Sequence, residues 1–340
     1  MVNTTDYPAN GDIMSNATWT TETKATVYSL GTLTLTATLI GIGLNIISMK
    51  AFKLMNTSVI YTYFDLILKG DTVRLLSCGV IALLMQIFTT DSLIASEHGT
   101  APPGMAIFIV NSILFSCSNV TCVLELCINV DRVIVMAFYS NRPRPKTGIT
   151  QHPKTITAVC AGFAIFMFVA RIVGRLVNQP LYDTITTISA ILPLVVKVIT
   201  LGVISVLFVY MLRYTKSQSR LLPAQNGPAY LRHKTMLSST RSVMIITALS
   251  IVLSLGATAL PMYYLFTGQT PHVQNDVNRW SEFFIIYIFL ECLGCVNFFL
   301  YIILIDDFKV ALKKLRMKEC MLCRKSNQIA PLDQISLVEQ

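Results

Sequence analysis

Seven long apolar segments, separated by short polar connections, constrain the fold of this chain more than any other feature of its sequence. A helix that crosses a bilayer needs about 20 mostly apolar residues, and the segments are 27–47, 59–88, 105–139, 156–177, 185–210, 243–266 and 283–305. Within hydrocarbon a helix satisfies its own backbone hydrogen bonds. The sequence therefore predicts an all-α membrane protein, a seven-transmembrane helix bundle.

Composition and charge agree with a membrane protein. The chain is 53% hydrophobic and 13% charged, with a net charge of +9, whereas a soluble domain carries about 25% charged residues. The cations gather in alternate connections (50–53, 142–154, 213–241) and after residue 305. The positive-inside rule places these parts in the cytoplasm. This pattern predicts a multi-pass plasma-membrane protein with its N-terminus outside, membrane lipids as neighbours and no nucleic-acid partner.

The segments outside the spans have their own predicted roles. Residues 1–26 form an extracellular N-terminus with two Asn-x-Ser/Thr glycosylation acceptors, Asn3 and Asn16. The bundle is 27–305, an amphipathic basic helix covers 306–318, and a cytoplasmic tail follows at 319–340. In that tail Cys320 and Cys323 are either palmitoylated or free thiols.

Ionisable residues lie inside the predicted spans, where each is a hypothesis for a functional site. They are Asp71, Arg74, Glu125, Asp131, Arg132, Arg171, Arg175, Lys197 and Glu291. The four histidines all fall in connections, and no spacing typical of a metal site or a catalytic nucleophile is present. We therefore expect no enzyme activity and no structural metal.

The order of several residues resembles the rhodopsin-like (class A) family of G-protein-coupled receptors, over nearly the whole chain. The matching residues, each on its own predicted helix, are Asn45, Asp71, the motif Asp131-Arg132-Val133, Pro193, Pro261, the motif Asn297-Phe-Phe-Leu-Tyr301, and Phe308. Valine replaces the tyrosine of the Asp-Arg-Tyr motif, and Phe298 replaces the usual proline of Asn-Pro-x-x-Tyr. The chain also lacks the tryptophan expected at Ala259 and the outer disulfide, so it is a divergent member.

The resemblance implies roles for these residues. Asp131, Arg132, Asn297 and Tyr301 would form the switch that engages a heterotrimeric G protein, and Asn45 with Asp71 would form a polar core that holds a sodium ion. The alternative for Asp71 is a neutral acid bonded to Asn45 or Asn297. No other cofactor is expected.

The ligand end of the chain departs from familiar receptors. Leu114 stands where amine receptors carry a carboxylate, and Glu291 stands where opsins carry their lysine. The resemblance places Arg74 opposite Glu291, so we expect an ion pair that either joins two helices or opens for a ligand. Arg171 and Arg175, four residues apart, either reach lipid headgroups or receive an anionic ligand.

The predicted function is a receptor that converts binding of an extracellular ligand into G-protein activation. The favoured ligand is a short neuropeptide, as in invertebrate FMRFamide-like receptors. A chemosensory receptor for a small external molecule remains open, and so does a seven-helix transporter or channel. The ionisable residues cluster in two layers, one near the middle and one at the inner end, which suits a switch better than a transport pathway.

Overall fold

The computed structural model describes residues 20–55, 59–87, 102–139, 153–177, 179–221, 228–267, 277–295 and 297–328. These residues form nine α-helices and no strand. The helices are α1 (Thr21–Leu54), α2 (Val59–Ile87), α3 (Pro102–Tyr139), α4 (Pro153–Val177), α5 (Gln179–Leu221), α6 (Pro228–Thr267), α7 (Val277–Gly294), α8 (Phe298–Leu304) and α9 (Asp306–Gln328).

Six stretches of helix are long and apolar enough to cross a membrane. They are Thr21–Leu54, Met105–Ala137, Thr155–Val177, Thr184–Lys216, Met236–Leu260 and Ser281–Leu304. The prediction of an all-α, multi-pass membrane protein is thereby confirmed. The predicted second span forms α2, which is not among the six and carries four charged residues, Asp65, Lys69, Asp71 and Arg74.

Local sequence accounts for the start of α1 and for a missing backbone donor inside α5. Thr20 caps α1, because its hydroxyl accepts a hydrogen bond from the backbone N–H of Thr23 at 3.2 Å. Pro193 lies inside α5 and supplies no backbone N–H for the helix ladder. The helix is interrupted between α7 and α8, near Asn297, although the proline of the Asn-Pro-x-x-Tyr motif is absent there.

The helices close into a ring around α3. Each of α1 to α6 packs against the next, α7 returns to α1 and α2, and α3 also contacts α5 and α6. The apolar faces point outwards as well as inwards: on α4, Val159, Phe166 and Leu176 are all more than 60% exposed. Exposed apolar faces around buried polar groups are what a bilayer solvent favours.

The helix α9 packs on α1 and marks one end of the bundle, which we call the α9 end. Its first turn carries Asp306 and Asp307, as expected at a helix N-terminus. Phe308 is fully buried, with its ring centroid 5.0 Å from that of Phe52 on α1. The helix runs to Gln328, beyond the predicted end at residue 318.

Candidate functional site

One arginine and two carboxylates form a buried cluster that joins α2 to α7. Arg74 Nη1 donates to Asp71 Oδ1 at 2.9 Å, and Arg74 Nη2 donates to Glu291 Oε2 at 2.5 Å. All three residues are at most 5% exposed. The rigid fork of an arginine can serve two acceptors at once. The expected contact between Arg74 and Glu291 is therefore made, with Asp71 as a second acid on the same guanidinium.

The sodium ion implied for Asp71 does not fit this arrangement. The second carboxylate oxygen of Asp71 accepts from Asn297 Nδ2 at 3.2 Å, so N–H donors face both oxygens. The guanidinium of Arg74 already supplies a positive charge beside Asp71, and it would repel a sodium ion there. Asn45 is fully buried, yet neither its Oδ1 nor its Nδ2 has a hydrogen-bond partner. The predicted Asn45–Asp71 polar core is thus corrected: Arg74 supplies the cation, and Asn297 supplies the amide.

A second polar layer ties α3 and α5 to α6. Ser250 on α6 donates to Glu125 Oε1 on α3 at 2.6 Å. Lys197 on α5 donates to the Ser254 carbonyl at 3.2 Å and to the Thr258 hydroxyl. The sequence singles out Glu125 and Lys197 as ionisable groups within spans but predicts no role for them. The serine and threonine hydroxyls on α6 that bind these two residues could not be predicted from the sequence, because such residues are common in helices.

The two polar layers meet where α6 approaches α7. A Cβ added to Gly294 would lie 3.2 Å from Ser254 Cβ and 3.9 Å from Arg74 Nη2. The carbonyl of the same Ser254 accepts from Lys197. A side chain at position 294 would therefore push α6 away from the arginine cluster, and the glycine lets the layers touch.

Towards the α9 end, Arg132 on α3 donates through Nη2 to the neighbouring Asp131. Both residues are buried. An apolar cluster of soft side chains packs the same end of α3, α5 and α6, with Met136, Leu207 and Met244 at its centre. Methionine side chains adapt readily to new neighbours, so the side chains in this part of the α3–α6 contact can repack without leaving cavities.

The two residues predicted to act with Arg132 have separate surroundings. Asn297 bonds Asp71, whereas Tyr301 lies among aromatic rings and is 1% exposed. Its ring centroid is 5.2 Å from that of Phe52 and 5.3 Å from that of Phe64. The motif thus connects the polar cluster at its first residue to an aromatic cluster at its last.

One contact between α6 and α8 has no signal in the sequence. Ser242 Oγ donates to the Leu304 carbonyl at 2.6 Å, and also to the Ser238 carbonyl in its own helix at 3.0 Å. The Leu304 carbonyl is one of the last in α8, where intrahelical partners run out. This bond fastens the α9 end of α6 to α8.

At the opposite end of the bundle, Arg171 and Arg175 point inwards. The guanidinium carbon of Arg171 lies 4.3 Å from the ring centroid of Phe115, and that of Arg175 lies 4.2 Å from that of Phe108. Arg171 is 1% exposed. The headgroup alternative is therefore wrong for Arg171, because its charge faces α3 rather than the surface of the bundle.

Four predicted modification sites lie outside what the structure describes. Asn3 and Asn16 precede residue 20, and the side chains of Cys320 and Cys323 are not among those described, although both residues belong to α9.

The polar residues thus form a connected path from Glu291 through Arg74 and Asp71 to Asn297, with a parallel layer on α6. Comparison with known proteins adds no assignment: no protein-family model matches the chain, and no curated protein matches it.

Proposed function

We propose that the chain is a rhodopsin-like G-protein-coupled receptor of the plasma membrane. Its N-terminus lies outside, seven helices cross the bilayer, and α9 lies on the cytoplasmic surface. The observation that carries the proposal is the buried path Glu291–Arg74–Asp71–Asn297. It links the proposed ligand end to the α7–α8 break beside the proposed G-protein end.

The proposal makes α2 the seventh crossing helix. Charges in a bilayer are costly unless they pair or face the bundle interior. Asp71 and Arg74 pair inside the bundle, and Lys69 lies 2.6 Å from Asp65 one turn earlier on the helix. Each charge on α2 therefore has an opposite partner, which offsets much of the cost that its composition implies.

The proposed switch acts between α3, α6 and α8. In the resting state Asp131 holds Arg132, Ser250 holds Glu125, and Ser242 holds the end of α8. When a ligand shifts the arginine cluster, Gly294 transmits the change to Ser254 on α6. Outward movement of α6 then frees Arg132 for a G-protein tail. Such a two-state element responds to any ligand that binds one state more tightly.

Replacing Arg132 with alanine tests the assignment. We expect the variant to reach the cell surface and to lose G-protein activation, measured as nucleotide exchange both at rest and with a peptide library. Arg316→Ala, which removes an exposed arginine on α9, serves as the matched control. Full signalling by Arg132→Ala, or a substrate-dependent current or uptake by the wild-type chain, would contradict the receptor assignment.

A second test needs no ligand. Ser242→Ala removes the bond to Leu304, and one hydrogen bond contributes about 0.5–1.5 kcal/mol. We therefore expect resting G-protein activation to rise about 2- to 12-fold. Ser205→Ala is the control, since the Ser205 hydroxyl bonds the Leu201 carbonyl of its own helix at 2.9 Å. An unchanged resting rate of G-protein activation in Ser242→Ala would mean that the α6–α8 bond plays no part in the switch.

A further inference from the structure

Arg171 is a buried cation without an acid. Its Nε and Nη1 have no hydrogen-bond partner, and no described carboxylate forms an ion pair with it. The hydroxyl of Tyr182 on α5 accepts a hydrogen bond from the Arg171 side chain. Taking a charge out of water costs several kcal/mol unless a partner compensates. Two guanidinium nitrogens therefore remain available to an acceptor.

Aromatic rings hold this guanidinium in place. Phe115 lies under it at 4.3 Å, and the Phe115 ring stacks on Tyr287 of α7 with centroids 5.8 Å apart and planes inclined by 18°. The ring of Tyr182 packs edge-on against that of Phe108, with centroids 5.8 Å apart, and the guanidinium of Arg175 lies over the Phe108 ring. Cation–π contacts orient a guanidinium but leave its in-plane N–H donors open.

These rings also join the arginine to the proposed signalling path. The Tyr287 hydroxyl lies 3.5 Å from Glu291 Oε1, the carboxylate that holds Arg74. A ligand that moves Phe115 or Tyr287 therefore acts one contact away from the α2–α7 cluster.

We propose that Arg171 receives the carboxylate of a ligand, which replaces the Tyr182 hydroxyl on the guanidinium. Binding itself does not depend on signalling, but its meaning as receptor input rests on the proposed function. A carboxylate fits because arginine binds it through parallel N–H donors, and one guanidinium balances one negative charge. Aromatic walls favour an apolar or aromatic body beside that carboxylate. Two sources share this chemistry: a small aromatic acid and the free C-terminus of a peptide.

The test compares acids with their neutral amides on the purified chain in detergent. The probes are benzoate with benzamide, phenylacetate with phenylacetamide, and a library of short peptides made both as free acids and as C-terminal amides. Thermal melting is the readout, because a ligand that binds only the folded state stabilises it by mass action. This readout involves no G protein, so failure of the receptor assignment and failure of this site are distinguishable.

We expect at least one acid to raise the melting temperature of the wild-type chain while its amide does not. Arg171→Gln should abolish the shift, Arg171→Lys should reduce it, and Tyr182→Phe should enlarge it because the competing hydroxyl is gone. Arg316→Gln, the matched control, should keep it. A response to the small acids alone assigns a small-molecule ligand, and a response to peptide acids alone assigns a peptide terminus.

Three results would overturn the proposal. One is no stabilisation by any acid, another is equal stabilisation by acid and amide, and the third is a shift that survives in Arg171→Gln. If Arg171→Gln does not fold, Phe115→Leu replaces it: this variant keeps the charge but loses the ring beneath it, and it should lower acid affinity. Unchanged affinity in Phe115→Leu would count against the site.

Discussion

Two arginines lie in the bundle with almost no exposure, and their surroundings are opposite. Arg74, 4% exposed, holds two carboxylates. Arg171, 1% exposed, faces an aromatic ring and keeps two nitrogens without partners. The charge of Arg74 is compensated by carboxylates, although its Nε also has no hydrogen-bond partner, whereas no described carboxylate compensates the charge of Arg171. Burial alone therefore does not indicate a binding residue in a membrane protein; a buried charge without an opposite charge is the stronger indication.

The difference changes how the proposed ligand pocket is interpreted. Opening the Arg74–Glu291 pair would leave charges unpaired in the interior, which is strongly unfavourable. A ligand that binds Arg171 displaces a neutral tyrosine hydroxyl rather than a carboxylate. We therefore propose that Arg74 and Glu291 transmit the signal and that Arg171 recognises the ligand.

The largest expected effect on the free energy of unfolding comes from removing the charge of Arg74 or that of Arg171. Arg74→Met leaves Asp71 and Glu291 buried without their cation, and should lower the free energy of unfolding by about 3–5 kcal/mol. Arg171→Met removes an unpaired charge whose desolvation costs several kcal/mol, against a cation–π contact that contributes about 2 kcal/mol. It should raise the free energy of unfolding by about 1 kcal/mol or more. Denaturation of the purified protein in detergent measures both.

Neutralising a partner of Arg74 provides the control. Arg74→Met combined with Glu291→Gln should recover part of the loss, since one buried carboxylate is neutral. Opposite signs for the two arginine variants support the comparison, whereas equal destabilisation by both would mean that Arg171 has an internal partner and is not an open site.

We call the surroundings of Arg74 the paired region and those of Arg171 the unpaired region. The sequence predicts the paired region far better than the unpaired region. Hydropathy locates the helices, since long apolar runs have few alternatives in a bilayer. The contact between Arg74 and Glu291 was also predicted, because the resemblance placed the two residues opposite each other and buried charges are costly unless they pair. Asp71 joining the same guanidinium was not, because the resemblance implied sodium and Asn45 at that place. A single arginine reaching two helices replaced that arrangement.

The inward direction of Arg171 could not be predicted, because it depends on how α4 is rotated against its neighbours. A Cβ at Gly174 would lie 2.8 Å from Ile185 Cδ1 and 3.3 Å from the Tyr182 backbone. The glycine therefore allows α5 to approach α4 closely, and this contact helps to fix which face of α4 turns towards α3. Sequence spacing places Arg171 and Arg175 on one face but does not say where that face points.

A smaller effect should separate the aromatic contribution at Arg171. Phe115→Leu removes the ring beneath the guanidinium, so it should cost more stability in the wild-type chain than in Arg171→Met. The double-mutant cycle should give a coupling of about 0.5–2 kcal/mol, measured by the same denaturation. Phe108→Leu in place of Phe115→Leu is the matched comparison: the Phe108 ring lies against Arg175 and contacts Tyr182, the hydroxyl partner of Arg171, so its coupling to Arg171 should be smaller than that of Phe115.

The smallest effect is expected from exchanging sodium for potassium. We expect the wild-type chain to show no sodium effect on its melting temperature, and this result would distinguish the paired region. Arg74 and Asn297 already donate to the two oxygens of Asp71, so exchanging sodium for potassium at equal ionic strength should leave the melting temperature of the wild-type chain unchanged. In Arg74→Met combined with Glu291→Gln, Asp71 loses its guanidinium, and Asn45 with its unpartnered oxygen lies on the neighbouring helix. That variant should melt higher in sodium than in potassium, since a small cation can then replace the lost charge. A sodium-dependent rise in the wild-type chain would instead mean that Arg74 leaves Asp71 in a populated state, and the paired region would then be as open to a ligand as Arg171.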